Sequence, residues 1–268
     1  MTGFSGIFVR LSETDPVATG AWRLLIAVLA LMPFLPTGRG EIRRGALSPM
    51  LILAGLCFAV DMGCFNSALS FTSVAHATLI VNLAPIVALA AGFLLFGEGF
   101  GAAKLIGLVA ALGGAALMTM TRLDGGGTLF GNGIASIGLF GYALYLIAVK
   151  RARREHDTVS IMLWSSVAAA VVMFAAAALM GERILPVSLS GWAVLAALAL
   201  MSHVLGQGLV AFGMREAPVG LASILLLVQP IVAAVAAWIV FGETMGPIEA
   251  TGAVTVLLGL VIASRARS

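Results

Sequence analysis

Charge is what this sequence has least of. Only 10% of its 268 residues are Asp, Glu, Lys or Arg, against about a quarter in an ordinary soluble domain. A chain that lives in water needs charged surface, so a soluble globular fold is excluded. Histidine is scarce too: His76, His156 and His203 lie far apart, with no His-Glu-x-x-His cluster to hold zinc. A Gly-x-Ser-x-Gly nucleophile motif is missing. The glycine run 125–127 lacks the lysine and the strand–helix setting of a phosphate loop, so no ATP motor is encoded. These gaps argue against an enzyme and leave no expected cofactor or metal. The two cysteines, Cys57 and Cys64, share one apolar run. In a helix they stand about 10 Å apart along the axis, too far for a disulfide.

What is present is apolar: 61% of residues are Ala, Val, Ile, Leu, Met, Phe, Trp, Tyr or Cys. The apolar runs recur from end to end, each near the roughly 20 residues that cross a bilayer core as a helix. Lipid offers the backbone no partners, so such spans are helices or closed barrels. Runs of this length, without strand alternation, specify helices. Polar breaks place spans at about 16–36, 47–70, 73–96, 101–121, 129–149, 158–180, 190–213, 217–241 and 247–264. Residues 1–11 read as the outer half of a further span, with no basic end or cleavage site of a signal peptide. The expectation is an all-α integral membrane protein of ten transmembrane helices, the first truncated in this numbering.

Basic residues fall mostly on one side. Alternate loops and the C-terminus carry Arg39, Arg43, Arg44, Lys104, Lys150, Arg151, Arg153, Arg154, Arg215, Arg265 and Arg267, whereas the other loops carry Arg10, Arg122 and Arg183. The positive-inside rule puts the first set, and both termini, in the cytoplasm. The net charge of +3 is therefore a topology signal and no mark of nucleic-acid binding.

The sequence repeats itself. A shift of 145 residues lays Pro85 on Pro230, Phe96-Gly97-Glu98 on Phe241-Gly242-Glu243, and Gly101, Gly107 and Gly114 on Gly246, Gly252 and Gly259. The flexible loop 122–128 divides the chain into repeats 1–121 and 122–268. With five spans in each, the second repeat is inverted relative to the first. Inverted repeats suit alternating access, with substrate held near mid-membrane; a duplication that only builds a stable bundle is the plainer alternative.

The pattern of small residues, proline, an apolar run and Gly-Glu occurs at Ser73–Glu98 and again at Gly220–Glu243. With the Arg215–Ser223 run and Tyr142-Ala-Leu-Tyr145 before basic residues, it resembles the EamA branch of the drug/metabolite transporter superfamily. That resemblance covers nearly the whole chain. It implies ten helices in two halves and export of amino acids or related metabolites, as in the YddG-like members, from a bacterial cytoplasmic (inner) membrane. The matching motifs are scaffold motifs and carry little about substrate. Within the superfamily, exporters of other low-charge metabolites or drugs are the alternative. Sugar-phosphate and nucleotide-sugar carriers fit less well, since only Arg23 supplies a basic group inside a span. The expected partners are a small-molecule substrate and membrane lipid, without nucleic acid, for a monomer or homodimer.

An ionisable group inside a span costs roughly 2.5–3.5 kcal/mol on insertion scales, so each needs a reason. Asp61 either binds a substrate amino group or coupling proton, or serves as structural partner to Arg23, which can also snorkel outward. His203 and Gln207, four apart, share a helix face; they meet substrate or make interhelical hydrogen bonds. Asn82 beside Pro85 and Gln229 beside Pro230 sit where proline frees backbone groups, as kinks or as a cavity lining. Tyr142 and Trp164 are further candidates for the pathway, while Tyr145 reads as an interfacial belt residue. The substrate-site set is thus Asp61, Asn82, Tyr142, Trp164, His203, Gln207 and Gln229, with Arg23, Pro85 and Pro230 structural or hinge residues. Gly107, Gly114, Gly252 and Gly259 are expected to pack helices inside each half rather than between protomers.

Overall fold

The computed structural model describes residues 8–9, 11–35, 45–68, 70–72, 74–99, 101–120, 128–241 and 246–265. Helices account for nearly all of it: α1 (Pro16–Leu31), α2 (Pro49–Ala68), α3 (Val74–Val81), α4 (Ala84–Phe96), α5 (Ala102–Met120), α6 (Leu129–Ala152), α7 (Thr158–Leu179), α8 (Leu189–Ala197), α9 (Gly208–Gly213), α10 (Val219–Leu225), α11 (Gln229–Phe241) and α12 (Pro247–Arg265). Among the described residues eight helical stretches are long and apolar enough to cross a membrane, and a shorter apolar stretch covers Val219–Val235. The span expected at residues 1–11 and the expected repeat boundary at 121/122 lie mostly or wholly outside the described residues.

Helix starts follow local chemistry. Pro16, Pro49 and Pro247 occupy first positions, where the missing N–H costs nothing. Thr128, Asp157 and Ser188 accept hydrogen bonds from the N–H groups of Gly131 (3.1 Å), Ser160 (2.7 Å) and Gly191 (3.0 Å), satisfying donors that a helix leaves orphaned. The outward faces are apolar, with Leu94, Val109, Val171 and Leu209 all well exposed. Lipid is the solvent that suits such a surface.

Three spans are not uniform α-helix. The span at 74–96 breaks at Asn82-Leu83, before Pro85. Its repeat counterpart breaks at a 3₁₀ turn, Leu226–Val228, before Pro230. Between α8 and α9, Leu198–Gln207 winds as a π-helix, and the Gly208 N–H reaches back to the His203 carbonyl. π segments widen a helix and recur at functional sites.

The glycine rows correct an expectation. Gly107, Gly114, Gly252 and Gly259 pack α5 against α12, which joins the two halves of the chain. A Cβ at Gly107 would lie 2.6 Å from the Gly259 carbonyl oxygen, and one at Gly114 would lie 2.5 Å from that of Gly252. The pairing is reciprocal: Gly252 returns to Gly114 and Met118, and Gly259 to Gly107 and Ala111. Early α5 meets late α12, so the pair is antiparallel. The start of α1 likewise meets the end of α7, through Glu182 on the Val17 and Ala18 N–H groups. The end of α4 meets the start of α10.

Two larger apolar cores and a small cluster of Ala68, Ala77 and Ala135 result among the described residues. One gathers Leu24, Leu51, Phe58, Leu146, Ile161 and Met173 from α1, α2, α6 and α7. The other gathers Leu108, Ala111, Ile224, Val256 and Leu260 around α5 and α12. Both cysteines are free.

Candidate functional site

Polar side chains converge near the mid-length of α1, α2, α6 and the π segment. Arg23 is buried (8% exposed) and Asp61 nearly so (9%), each within range of the other's charge. Arg23 therefore does not snorkel to the surface. Among the described residues it makes no ion pair with Asp61. The Arg23 Nε is sealed without a hydrogen-bond partner. Among the described residues its terminal nitrogens and the Asp61 carboxylate make no hydrogen bond to a protein group, although both side chains are buried. Unpaired charge inside a low-dielectric bundle costs several kcal/mol, and function is the default reason such residues persist in spans.

Around them stand neutral polar groups. The Tyr142 hydroxyl faces the side chains of Gln207 and Gln229 and is buried without a partner in hydrogen-bonding geometry, as is Gln207 Oε1. The His203 Nε2 lies 2.8 Å from Ser166 Oγ on α7, the interhelical bond that was one of its two expected roles. Its Nδ1 and the Ser202 hydroxyl are sealed without partners. His203 lies beside Phe58, 5.4 Å between ring centroids, and Phe58 beside Tyr145 at 4.6 Å. Tyr145 stacks with Tyr142 at 6.1 Å. Tyr145 is 1% exposed, which overturns its reading as a belt residue: α6 continues to Ala152, so the ring lies deep in the bundle.

The remaining candidates stand elsewhere. The Asn82 side-chain nitrogen is buried without a partner at the break before Pro85. Trp164 packs at Gly45, where a Cβ would lie 2.3 Å from the indole Nε1. The structure thus brings together Arg23, Asp61, Tyr142, His203, Gln207 and Gln229. Ser166, Phe58 and Tyr145 complete the group, and sequence reasoning missed them in this role. A serine or phenylalanine in a span gives little signal. Among the described residues no three His, Cys, Asp or Glu side chains converge as metal ligands.

The arrangement has a definite chemistry. A guanidinium presents a fork to a carboxylate, and Asp61 offers a negative charge to an ammonium. Tyr142 and Gln207 add neutral hydrogen-bonding groups, and Phe58 and Tyr145 add apolar wall. The overall fold matches a solved crystal structure with a TM-score of 0.82 at 18% identity, covering 98% of this chain and 92% of that one. Residues 1–120 and 129–265 match the model of the EamA-like transporter family. The chain belongs to that family. It is a multi-pass membrane transporter of the EamA group within the drug/metabolite transporters.

Relatives agree at the level of class. An uncharacterized transporter of Archaeoglobus fulgidus is 26% identical over 265 residues, covering 99% of this chain and 93% of that protein. The uncharacterized transporter YwfM of Bacillus subtilis is also 26% identical, covering 95% of this chain and 86% of that protein. A shorter likeness, 34% identity over 80 residues, links the chain to a chloroplastic WAT1-related protein of Arabidopsis thaliana. In this EamA-family member the polar group just described lies between the helices.

Proposed function

We propose that this EamA-family protein is a secondary transporter that exports amino acids or related small metabolites across a bacterial cytoplasmic membrane by alternating access. The observation that carries the reading is the buried couple of Arg23 and Asp61, which form no ion pair with each other, beside the neutral polar side chains of Tyr142, His203 and Gln207. Opposite charges held apart, each without a protein partner, suit a ligand bearing both a carboxylate and an ammonium. Two helix breaks, at Asn82 and at Leu226–Val228, stand at matching positions of the repeat, as in transporters whose discontinuous helices form the site.

In this reading residues 1–121 and 122–268 are five-helix repeats, inverted about an axis in the membrane plane, making ten helices with both termini cytoplasmic. The antiparallel, reciprocal α5–α12 crossing supports the inversion. Cysteines at Arg154 and Leu185 test the sidedness: the first should resist an impermeant label in intact cells and the second react, whereas the reverse would overturn the topology.

Exporters of other low-charge metabolites or drugs form the second reading, favoured by the aromatic wall of Phe58, Tyr145 and Tyr142. Counterflow into proteoliposomes with a panel of radiolabelled amino acids separates the two. Exchange of several zwitterions is expected, with little of polyanions. Exchange confined to a polyanion or to a lipophilic cation would contradict the amino acid reading.

A further inference from the structure

The Gly-Glu that ends α4 does more than mark a repeat. Gly97 adopts φ +65°, a left-handed conformation that glycine takes without steric cost. Its N–H and that of Glu98 turn back to the carbonyls of Phe93 (3.2 Å) and Gly92 (3.1 Å), closing the helix with a left-handed glycine cap. The chain then reverses, and the Glu98 carboxylate crosses to the other half of the molecule. It accepts hydrogen bonds from the N–H groups of Val219 (2.6 Å) and Gly220 (3.1 Å), the first two residues of α10.

The surroundings fit this contact closely. A Cβ at Gly92 would stand 2.5 Å from a Glu98 carboxylate oxygen, and one at Gly220 would stand 2.2 Å from Leu89 Cδ1. Both glycines make room for the approach. Lys150 Nζ donates to the Ala217 carbonyl at 2.7 Å, and the Arg154 guanidinium lies 5.9 Å from the Phe96 ring centroid. Together these close the end of the bundle where basic residues gather.

α10 is only seven residues long, and the 3₁₀ turn Leu226–Val228 separates it from α11. Gln229, the next residue, faces Tyr142 in the polar group. α10 is therefore a short lever, hinged beside the candidate substrate site and held at its far end by the Glu98 carboxylate, next to the Lys150 bond to the Ala217 carbonyl. Glu182 makes a similar bond to the start of α1, but there Trp22 also packs on Phe174 (5.4 Å) and donates to the Ile184 carbonyl at 2.7 Å. That second joint is built to stay.

We infer that Glu98 is a gating residue: its bonds to Val219 and Gly220 hold the basic mouth shut and break when that mouth opens. The inference rests on the transport reading above, but its test needs no substrate. Protein with Cys57 and Cys64 replaced by Ala carries a single cysteine at Ala222, within α10, and is labelled in sealed vesicles by an impermeant maleimide. Vesicle orientation is fixed by a control cysteine at Arg154. Charge-assisted hydrogen bonds of this kind shift an equilibrium about tenfold or more when lost. Glu98→Ala and the near-isosteric Glu98→Gln should therefore label from the basic side about tenfold faster than the parent, with Glu98→Asp between.

Unchanged labelling in variants that elute and melt like the parent would overturn the inference. So would failure of both Ala and Gln variants to fold, which would make Glu98 a structural cap. A rise in labelling combined with no transported substrate in the counterflow panel would leave the gate standing and remove the amino acid reading instead.

Discussion

Two of the helix pairs that join the halves of this molecule do so with opposite chemistry. α5 and α12 touch backbone to backbone through four glycines, with no polar side chain among the nearest atoms that a Cβ on them would meet. Small residues permit such close approach in membranes, where packing rather than water drives association. α4 and α10 meet through one carboxylate, two N–H groups and a leucine laid on a glycine. The first pair has backbone atoms in the way of any added carbon and so admits one arrangement. The second has a flexible side chain and breakable hydrogen bonds. The contrast assigns α5–α12 to the fixed frame and α4–α10 to the moving part.

Substitution of the glycines tests that contrast most severely. Gly114→Ala places a methyl 2.5 Å from the Gly252 carbonyl oxygen and 2.6 Å from the Val256 nitrogen, and backbone does not yield cheaply. A cost of about 3 kcal/mol is expected, read as lost monodisperse protein and a lower melting temperature in detergent. Gly220→Ala meets only the far end of Leu89, and about 1 kcal/mol is expected after that side chain turns. Equal damage at the two sites would erase the distinction.

The polar group gives the next largest effects. Because Arg23 and Asp61 form no direct pair, Asp61→Asn and Arg23→Gln should each express and melt close to the parent. Transport affinity for a zwitterion should fall about tenfold to a hundredfold. If the two residues were a structural pair, each single change would impair folding and the Arg23→Asp/Asp61→Arg swap would restore it; that rescue would count against the account. Ser166→Ala removes the partner of His203 Nε2 and leaves a buried imidazole nitrogen orphaned, at about 1–2 kcal/mol. Thermal unfolding reads this, with transport changed by no more than a few-fold.

The smallest effect lies at the end away from the basic loops. Hydrogen bonds from the Ser188 hydroxyl and from the Ser188 and Val187 N–H groups hold the Glu13 carboxyl below its ordinary range. A carboxyl lowered in the folded state stabilises fully above its unfolded value, about 4.3. That contribution is lost as pH falls through the lower folded value. The melting temperature should drop below about pH 4, and Glu13→Gln should flatten the drop. An unchanged acid profile in the variant would remove the carboxyl from the account.

Much of the frame was legible in the sequence because the bilayer makes simple demands. Eight of the nine apolar runs between 16 and 264 forecast the ends of helices long enough to span, within a few residues, whereas the run 217–241 meets only the shorter apolar helix Val219–Val235. Arg23 and Asp61 were visible as charges where charge is costly. Partners across the fold were not legible. Gly107 and Gly259 announce small residues, yet nothing local says that they touch each other rather than neighbours in their own half. Tyr145 looked interfacial because basic residues follow soon after it, whereas its ring is packed inside the bundle against Phe58. Nothing in the sequence around Trp164 announces that its indole lies against Gly45. The π segment is a response to packing, and its residues have no distinguishing pattern.

The central claim is that Arg23 and Asp61 act on opposite charges of one ligand. Equilibrium binding to purified protein tests it with three compounds: the best amino acid from the counterflow panel, its amine lacking the carboxylate, and its acid lacking the amino group. The parent should bind the amino acid at least about tenfold tighter than either analogue. Arg23→Gln should abolish the preference over the amine but keep that over the acid, and Asp61→Asn should do the converse. Preferences that survive both substitutions would contradict the account.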